Sequence, residues 1–370
     1  MKKITRNNFL ISTVIVFIFG FAMFMTSCEG PAGTAGKDGS NGKDGTAVCT
    51  ACHGNSDVEL KFAQYDLSKH GTGTIYEEEA GRVGCGGCHT GDGFAEAATI
   101  GKDDPITHST SKINCYACHD IHDQFDTTDF SLRIKAGFAL RFKGSAADGN
   151  VDFKTGNTCG KCHQARSFTR TTPDTVKPAS TGATYSRLGP HYGVVANVFA
   201  MKGLYDISGQ TTPVPTTNPH ASLADGCVAC HMGRDTINPA SGGHTFRMTY
   251  ASLANLEQSA ISKCTACHDV NTIKNAPKAK QAAKDLATYR QKLIDKGMLD
   301  TTQSVGSDGT YNILGEYPAT PGGKNKIYAS KDDVNVLMNY LFIAKDRSLG
   351  IHNPAYVQAI IKNGLEYLNR

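Results

Sequence analysis

The chain has 370 residues, of which 39% are hydrophobic, with 13 cysteines, no tryptophan and a formal net charge of +4. This composition excludes a multi-span membrane protein and a low-complexity polymer, and the small charge excludes a typical nucleic-acid binder. Because the number of cysteines is odd, a scaffold held only by disulfides would leave one thiol unpaired.

The first 27 residues predict an export signal. A basic start without acidic residues precedes an apolar run over 9–24, as in secretory signals. A membrane span is the alternative, because a run of this length approaches the minimum that crosses a bilayer. The small residues directly before Cys28 resemble the lipobox of bacterial lipoproteins, which implies that Cys28 is lipidated and anchors the mature chain to a membrane. Glu29 is not the Asp typical of inner-membrane retention, which favours an exported lipoprotein at the outer membrane or cell surface, on either face.

Residues 28–47 carry glycine at every third position from Gly30 to Gly45, which is the period of collagen. So few triplets with a single proline would make a weak triple helix. We therefore interpret the segment as a flexible tether between the lipid and the body of the protein. A trimerising stalk is the alternative.

The remaining twelve cysteines all fall into one motif, Cys-x-x-Cys-His, which occurs six times. The motif predicts covalently attached c-type haem, because thiols at this spacing reach the two vinyl groups of one porphyrin and the adjacent histidine binds its iron. A zinc half-site or a redox dithiol would not require a histidine after every second cysteine. The sequence thus predicts six covalent haems, with the motif histidines as proximal iron ligands. The motifs are Cys49-Cys52-His53, Cys85-Cys88-His89, Cys115-Cys118-His119, Cys159-Cys162-His163, Cys227-Cys230-His231 and Cys264-Cys267-His268.

Seven histidines remain for the opposite sides of six irons, so one is in excess. This count favours two histidine ligands at most sites. Methionine is the competing ligand, but Met298 and Met338 fit helical core positions better. An open iron position, the signature of an enzyme, would require a second idle histidine. The distal candidates, six of which are needed, are His70, His108, His122, His191, His220, His244 and His352.

The motifs begin at 49, 85, 115, 159, 227 and 264, which is too uneven for a solenoid repeat. Loops rich in proline and threonine in the longest gap indicate a soft boundary. It separates a haem-binding subdomain at 48–170, with haems 1–4, from a second at 171–370, with haems 5 and 6. The predicted fold is mainly α with extensive loops and little β structure, wrapped around the haems.

The last hundred residues carry no motif but have the clearest helix signals. Pro277 begins one helix, which Gly297 ends. Ser330 and Asp333 form a capping box for a second helix. Asn353, followed by a proline, caps the last one. We interpret these helices as a cover that packs over the haem cluster, with a partner-binding surface as the alternative.

With these motifs the chain resembles the exported multihaem c-type cytochromes of bacteria that respire metals, sulfur or other external acceptors. The resemblance covers most of residues 48–370 and implies closely packed bis-histidine haems that carry single electrons in anaerobic, extracellular respiration. It implies partners such as other cytochromes, an outer-membrane electron conduit and an extracellular metal or mineral acceptor, and no nucleic acid. The segments that carry the resemblance are NCYACHDIH, TCGKCHQAR, GPHYG, NPHASLADGCVACHMG, GGHTFRM and GIHNPAYVQAI.

Two further functions stay open. The first is a multihaem reductase for nitrite, hydroxylamine or a sulfur oxyanion, with one open haem. Ammonia-forming nitrite reductases commonly carry lysine in place of a motif histidine, whereas all six motifs here end in histidine. An electron carrier is therefore predicted in preference to an enzyme. The second is a subunit of a conductive cytochrome filament.

Overall fold

The computed structural model describes residues 53–79, 82, 84–100, 111–123, 129–166, 190–233, 241–248, 264–301, 312–313 and 330–370. The predicted export signal, Cys28, the tether, the cysteines of the first motif and His108 lie outside these residues. The described residues belong to one compact unit, Thr46–Arg370. The subdomain boundary near residue 171 stays a prediction.

The mainly helical, loop-rich fold class is confirmed. Within the described residues, the helices of the motif-bearing region are α1 Ser56–Asp66, α2 Lys69–Thr72, α3 Ile75–Glu79, α4 Gly86–His89, α5 Gly91–Ile100, α6 Cys115–Cys118, α7 Asn157–Cys162, α8 Val195–Phe199, α9 Cys227–His231 and α10 Val270–Asn275. The C-terminal helices are α11 Pro277–Asp295, α12 Lys331–Asp346 and α13 Pro354–Leu368.

Strands in the described residues are limited to two antiparallel pairs. β1 (Phe138–Ala139) pairs with β2 (Asn150–Val151), with Phe138 opposite Val151. β3 (Leu299–Asp300) pairs with β4 (Asn312–Ile313). Such short pairs cannot organise a fold by themselves.

The predicted ends of the C-terminal helices are confirmed. Pro277 is the first residue of α11, and Gly297, two residues after its end, has a φ of 61°. The Ser330 side chain accepts a hydrogen bond from the Asp333 N–H, and the Asp333 carboxylate accepts one from the Ser330 N–H. Asn353 caps α13 by accepting from the Tyr356 N–H. Local capping chemistry therefore determines where these helices start and stop.

Helices α11, α12 and α13 pack together around the larger of the two apolar cores in the described residues. The Tyr289 ring of α11 is fully buried and its hydroxyl donates to the Val336 carbonyl at 2.8 Å. The same ring contacts Gly364 of α13 so closely that a side chain there would collide with it. Met298 and Met338 are both buried in this core. The helical position predicted for Met338 is confirmed, whereas Met298 lies between α11 and β3 and not on a helix.

Buried asparagines on α12 and α13 hold the loop 204–212 against this core. Asn339 accepts from the Tyr205 N–H and donates to the Tyr205 carbonyl, both at 2.8 Å. Asn363 does the same with Thr212, at 2.9 Å in both directions. Each amide thus satisfies a backbone donor and acceptor as a neighbouring strand would. None of the helices in the described ranges is both long and apolar enough to span a bilayer.

Candidate haem sites

Each of the six motif histidines faces one other histidine ring across a gap of about the same size. The ring centroids of the six pairs are 6.0–6.3 Å apart. We number the sites by the motif that supplies the first histidine. The pairs are His53–His122 at site 1, His89–His191 at site 2, His119–His244 at site 3, His163–His70 at site 4, His231–His352 at site 5 and His268–His220 at site 6.

The six pairs use all twelve histidines that the structure describes, and no histidine is shared. Six of the seven distal candidates therefore face a motif histidine, and His108 lies outside the described residues. The partners come from distant parts of the chain: His119, for example, faces His244. Chance aromatic contacts would not match six motifs with six different partners.

The separation within each pair fits one metal ion bound between two imidazoles. A metal–nitrogen bond of about 2.0 Å, plus roughly 1.1 Å from that nitrogen to the ring centre, predicts centroids about 6 Å apart. The protonation of three rings also fits. Nδ1 of His119 lies 2.8 Å from the Phe130 carbonyl, and Nδ1 of His231 lies 3.1 Å from the Phe246 carbonyl. A carbonyl only accepts, so Nδ1 carries the proton and the Nε2 lone pair is left for a metal.

Nδ1 of His352, in turn, lies 2.7 Å from Oδ1 of Asp346. A carboxylate also accepts only, so the same tautomer results. Burial lowers the pKa of His163 and of His244 to about 4. It does the same at His191, where the Arg166 charge adds to the effect. Neutral imidazole is the form that binds metals.

In the five motifs whose cysteines the structure describes, the two cysteines lie on a single helix-like turn, which explains the spacing of the motif. Residues three apart on a helix lie on the same side, so both sulfurs of a motif face one way. In four motifs the histidine N–H donates to the carbonyl of the first cysteine, as at Cys85–His89 and Cys115–His119. The histidine then leaves the turn directly beside the sulfurs. The residues therefore fit covalent haem attached from one side.

None of the ten described motif cysteines forms a disulfide. Burial raises the pKa of Cys159 and of Cys227 to about 12, and that of Cys118 to about 11. Reactive and zinc-binding cysteines need an accessible or depressed thiolate. The pKa values of these three thiols are shifted in the opposite direction, which argues against the redox-dithiol alternative.

Polar residues outside the motifs position several distal histidines. Oε1 of Gln64 on α1 accepts from the His244 N–H at 3.0 Å, and any side chain at Gly243 would collide with this amide. Asn218 accepts from the His220 N–H at 3.1 Å and donates to the His352 carbonyl at 3.0 Å. One buried amide thereby fixes the backbone at sites 5 and 6.

Sequence reasoning did not identify Gln64, Asn218 or Asp346. Of these three, only Asn218 had a local signal, because asparagine before proline is typical of a helix cap, and it does cap the turn Pro219–Ser222. Gln64 and Asp346 act on histidines from other segments, so no spacing pattern marks them.

Sites 1, 3 and 4 follow one another in space. His119 of site 3 and His122 of site 1 are three residues apart in the chain. The Phe246 ring contacts His244 of site 3 and His70 of site 4, with centroid distances of 5.9 and 5.1 Å. A single aromatic ring thus lies between the histidines of sites 3 and 4.

Site 4 also adjoins sites 2 and 5. Gly193, two residues after His191 of site 2, packs on His163 of site 4, and the neighbouring Cys88 thiol of site 2 raises the pKa of the Cys162 thiol of site 4. The backbone of Gly156, at the start of α7, contacts Cys227 of site 5. Asn218 then connects site 5 to site 6. The six sites form one continuous branched series centred on site 4.

Two solved structures are similar to this chain at low sequence identity. One is the outer cell wall cytochrome OcwA, with 16% identity, a TM-score of 0.49, and coverage of 83% of this chain and 50% of that protein. The other is an undecahaem cytochrome from the S-layer of Carboxydothermus ferrireducens, with 17% identity, a TM-score of 0.42, and coverage of 81% and 40%. The chain therefore spans about half the length of the first and less of the second. No protein-family model matches the sequence, and no curated protein does either.

Proposed function

We propose that this protein is a hexahaem c-type cytochrome that carries single electrons along its six sites. The observation that carries the proposal is the one-to-one pairing of the motif histidines with six other histidines at 6.0–6.3 Å. Each haem, when bound, supplies one Fe(III)/Fe(II) couple and so accepts or donates one electron. A chain of such couples moves electrons without bond making or breaking.

The residues of each site have separate roles. The two cysteines of a motif hold the haem through thioethers, and the motif histidine binds the iron from the attached side. The facing histidine would bind the same iron from the opposite side, so that no coordination position would be left for a substrate. This favours a carrier over a reductase, because reduction of nitrite or hydroxylamine at a haem needs an open iron.

The contacts between sites support transfer along the whole series. Sites 1, 3, 4, 5 and 6 follow one another, and site 2 joins at site 4. Site 4 adjoins sites 2, 3 and 5. We propose that site 4 distributes electrons, while the sites at the ends of the series exchange them with partners.

The cellular setting is part of the same proposal. We propose an exported lipoprotein anchored through Cys28 at the outer membrane or cell surface. Its partners would be other cytochromes or an outer-membrane conduit, and an extracellular metal or mineral acceptor. The Cys28→Ala variant should leave the membrane fraction and appear in soluble form. Retention of that variant in membranes would contradict the anchor.

Single histidine variants test the site assignments. Alanine at any of the six paired distal histidines, such as His191 or His352, should convert one haem in six from low spin to high spin. His108→Ala is the matched control and should leave the spectrum unchanged, because the other twelve histidines already form the six pairs. A silent variant among the six would contradict the assignment of that site.

Turnover measurements distinguish an electron carrier from a reductase. The reduced wild-type protein should be reoxidised rapidly by soluble ferric chelates. It should neither bind nor reduce nitrite or hydroxylamine at comparable rates. Rapid nitrite binding by the wild-type protein would favour the reductase instead.

A further inference from the structure

Asp346 is a buried carboxylate directly behind the distal histidine of site 5. It is the last residue of α12, and its side chain is 1% exposed. Its Oδ1 accepts the Nδ1–H of His352 at 2.7 Å, and its Oδ2 accepts a hydrogen bond from the Ser348 hydroxyl. The Ser348 hydroxyl also accepts from the His352 N–H at 3.3 Å. The end of α12 thus holds both the ring and the backbone of His352.

The chemical nature of this partner distinguishes His352 from His119 and His231. The Nδ1–H groups of those two rings are accepted by backbone carbonyls, which are neutral. The partner of His352 is a carboxylate, so its hydrogen bond is charge-assisted and stronger. At site 5 both facing rings have Nδ1 partners, the Phe246 carbonyl on one side and Asp346 on the other. Site 5 therefore combines two oriented imidazoles, one of which is backed by a negative charge.

A carboxylate behind a metal-bound histidine makes that histidine a better electron donor. Negative charge moves onto the ring, which favours Fe(III), the state with the higher positive charge. Hydrogen bonding to the ligands and burial are the means by which a protein sets haem potentials. Asp346 accepts a hydrogen bond from the ligand, and because its carboxylate is buried, water does not screen its charge.

We propose that Asp346 is a positioning residue that lowers the reduction potential of the site 5 haem. The proposal rests on the hexahaem function proposed above. Site 5 lies between site 4 and site 6 in the series of contacts. A low potential there keeps site 5 oxidised until its neighbours are reduced, so that electrons pass through it without accumulating. The low-potential haem of site 5 would thereby separate site 6 from sites 1–4.

The test is a spectroelectrochemical titration of the full-length holoprotein and its Asp346→Asn variant. The amide keeps the shape of the side chain but removes the charge. One component, a sixth of the absorbance change, should move to higher potential, with about a tenfold change in its Fe(III)/Fe(II) ratio at fixed potential, which equals about 59 mV for one electron. The other components should not move. If all six haems are present and low-spin and no component moves, the proposal is wrong.

Asp333→Asn is the matched control. Asp333 is a buried carboxylate at the opposite end of the same helix, about 20 Å away at a rise of about 1.5 Å per residue. It binds the Ser330 N–H and the Tyr367 hydroxyl. This variant should lower the melting temperature and leave all six potentials in place. A shift equal to that of Asp346→Asn would mean that helix stability, and not the carboxylate, sets the potential.

Ser348→Ala keeps the proposal testable if Asp346→Asn does not assemble. It removes the hydroxyl that competes for the carboxylate but leaves the charge in place. The same component should move to lower potential, because Asp346 then concentrates more charge on His352. An unchanged titration of Ser348→Ala would contradict the proposal. Fewer than six haems, or a high-spin haem in the wild-type protein, would instead contradict the proposed function.

Discussion

The two halves of the described structure are held together in different ways. The C-terminal helices α11–α13 have long apolar faces, and most of α12 is buried. Among the described residues of 53–123, the buried hydrophobic side chains are Phe94 and three alanines. α1 buries none of its eleven residues and leaves Phe62 53% exposed. The C-terminal region is stabilised by its own side chains, while residues 53–123 bury little apolar surface and hold five of the twelve paired histidines.

This difference shows how a chain can fold with few apolar residues between its motifs. The six proposed haems would be large apolar bodies, and burying their faces would supply the driving force that side chains supply elsewhere. The polypeptide then needs only short turns that present cysteines and histidines. The C-terminal helices form a conventional core, which includes Val194 and Val198 of the motif-bearing region and adjoins site 5 through Asp346.

The largest effect should follow from preventing haem attachment. We expect the chain produced without its export signal to remain helical over α11–α13 but to lose structure over residues 53–123 of the motif-bearing region. Limited proteolysis with mass spectrometry would locate the cuts. Equal protection of both regions would show that the motif-bearing region does not depend on haem.

A substitution in the C-terminal core should have a second, smaller effect, which lowers the stability of the protein without altering the haems. Leu337 of α12 is fully buried, so Leu337→Ala should lower the free energy of unfolding by about 2–5 kcal/mol. The haem spectrum at room temperature should not change. Leu60→Ala makes the same chemical change at a 39% exposed position of α1 and should cost about 0.5 kcal/mol or less. Thermal unfolding followed by circular dichroism would measure both. A cost at Leu60 equal to that at Leu337 would contradict the contrast between the regions.

A substitution of Asn218 tests whether its side chain positions the backbone at sites 5 and 6. Its amide donates to the Phe199 and His352 carbonyls and accepts from the His220 N–H. Asn218→Ala should cost about 1–3 kcal/mol, because buried polar groups lose their partners, and should perturb the haems of sites 5 and 6 alone. Asn363→Ala, at a buried amide that binds Thr212, is the control and should destabilise without a spectral change. Equal spectra for the two variants would contradict the positioning role of Asn218.

The smallest effect is expected at the cap of α12. Ser330→Ala removes the side chain that accepts from the Asp333 N–H and should lower the free energy of unfolding by about 1 kcal/mol. The melting temperature should fall slightly, with all six haems retained. A spectral change would show that the C-terminal core and the sites are coupled more tightly than their contacts indicate.

The helix caps could be predicted from the sequence, whereas the pairing of the histidines could not. The caps at Ser330 and Asn353 depend on neighbouring residues, and the structure has both. The distal histidines were identifiable only as a group of seven, because a count does not say which two segments meet. The pairing of His163 with His70 depends on how α2 and α7 are placed. Asp346 was unremarkable in sequence, since its role exists only through His352.

The ferric absorption and EPR spectra of the purified holoprotein test the central claim most directly. Six histidine pairs predict six haems per chain, all low-spin, with no change on addition of nitrite. Complete assembly with a high-spin haem, or a signal that shifts with nitrite, would contradict bis-histidine ligation at all six sites and with it the account of the protein as a pure electron carrier.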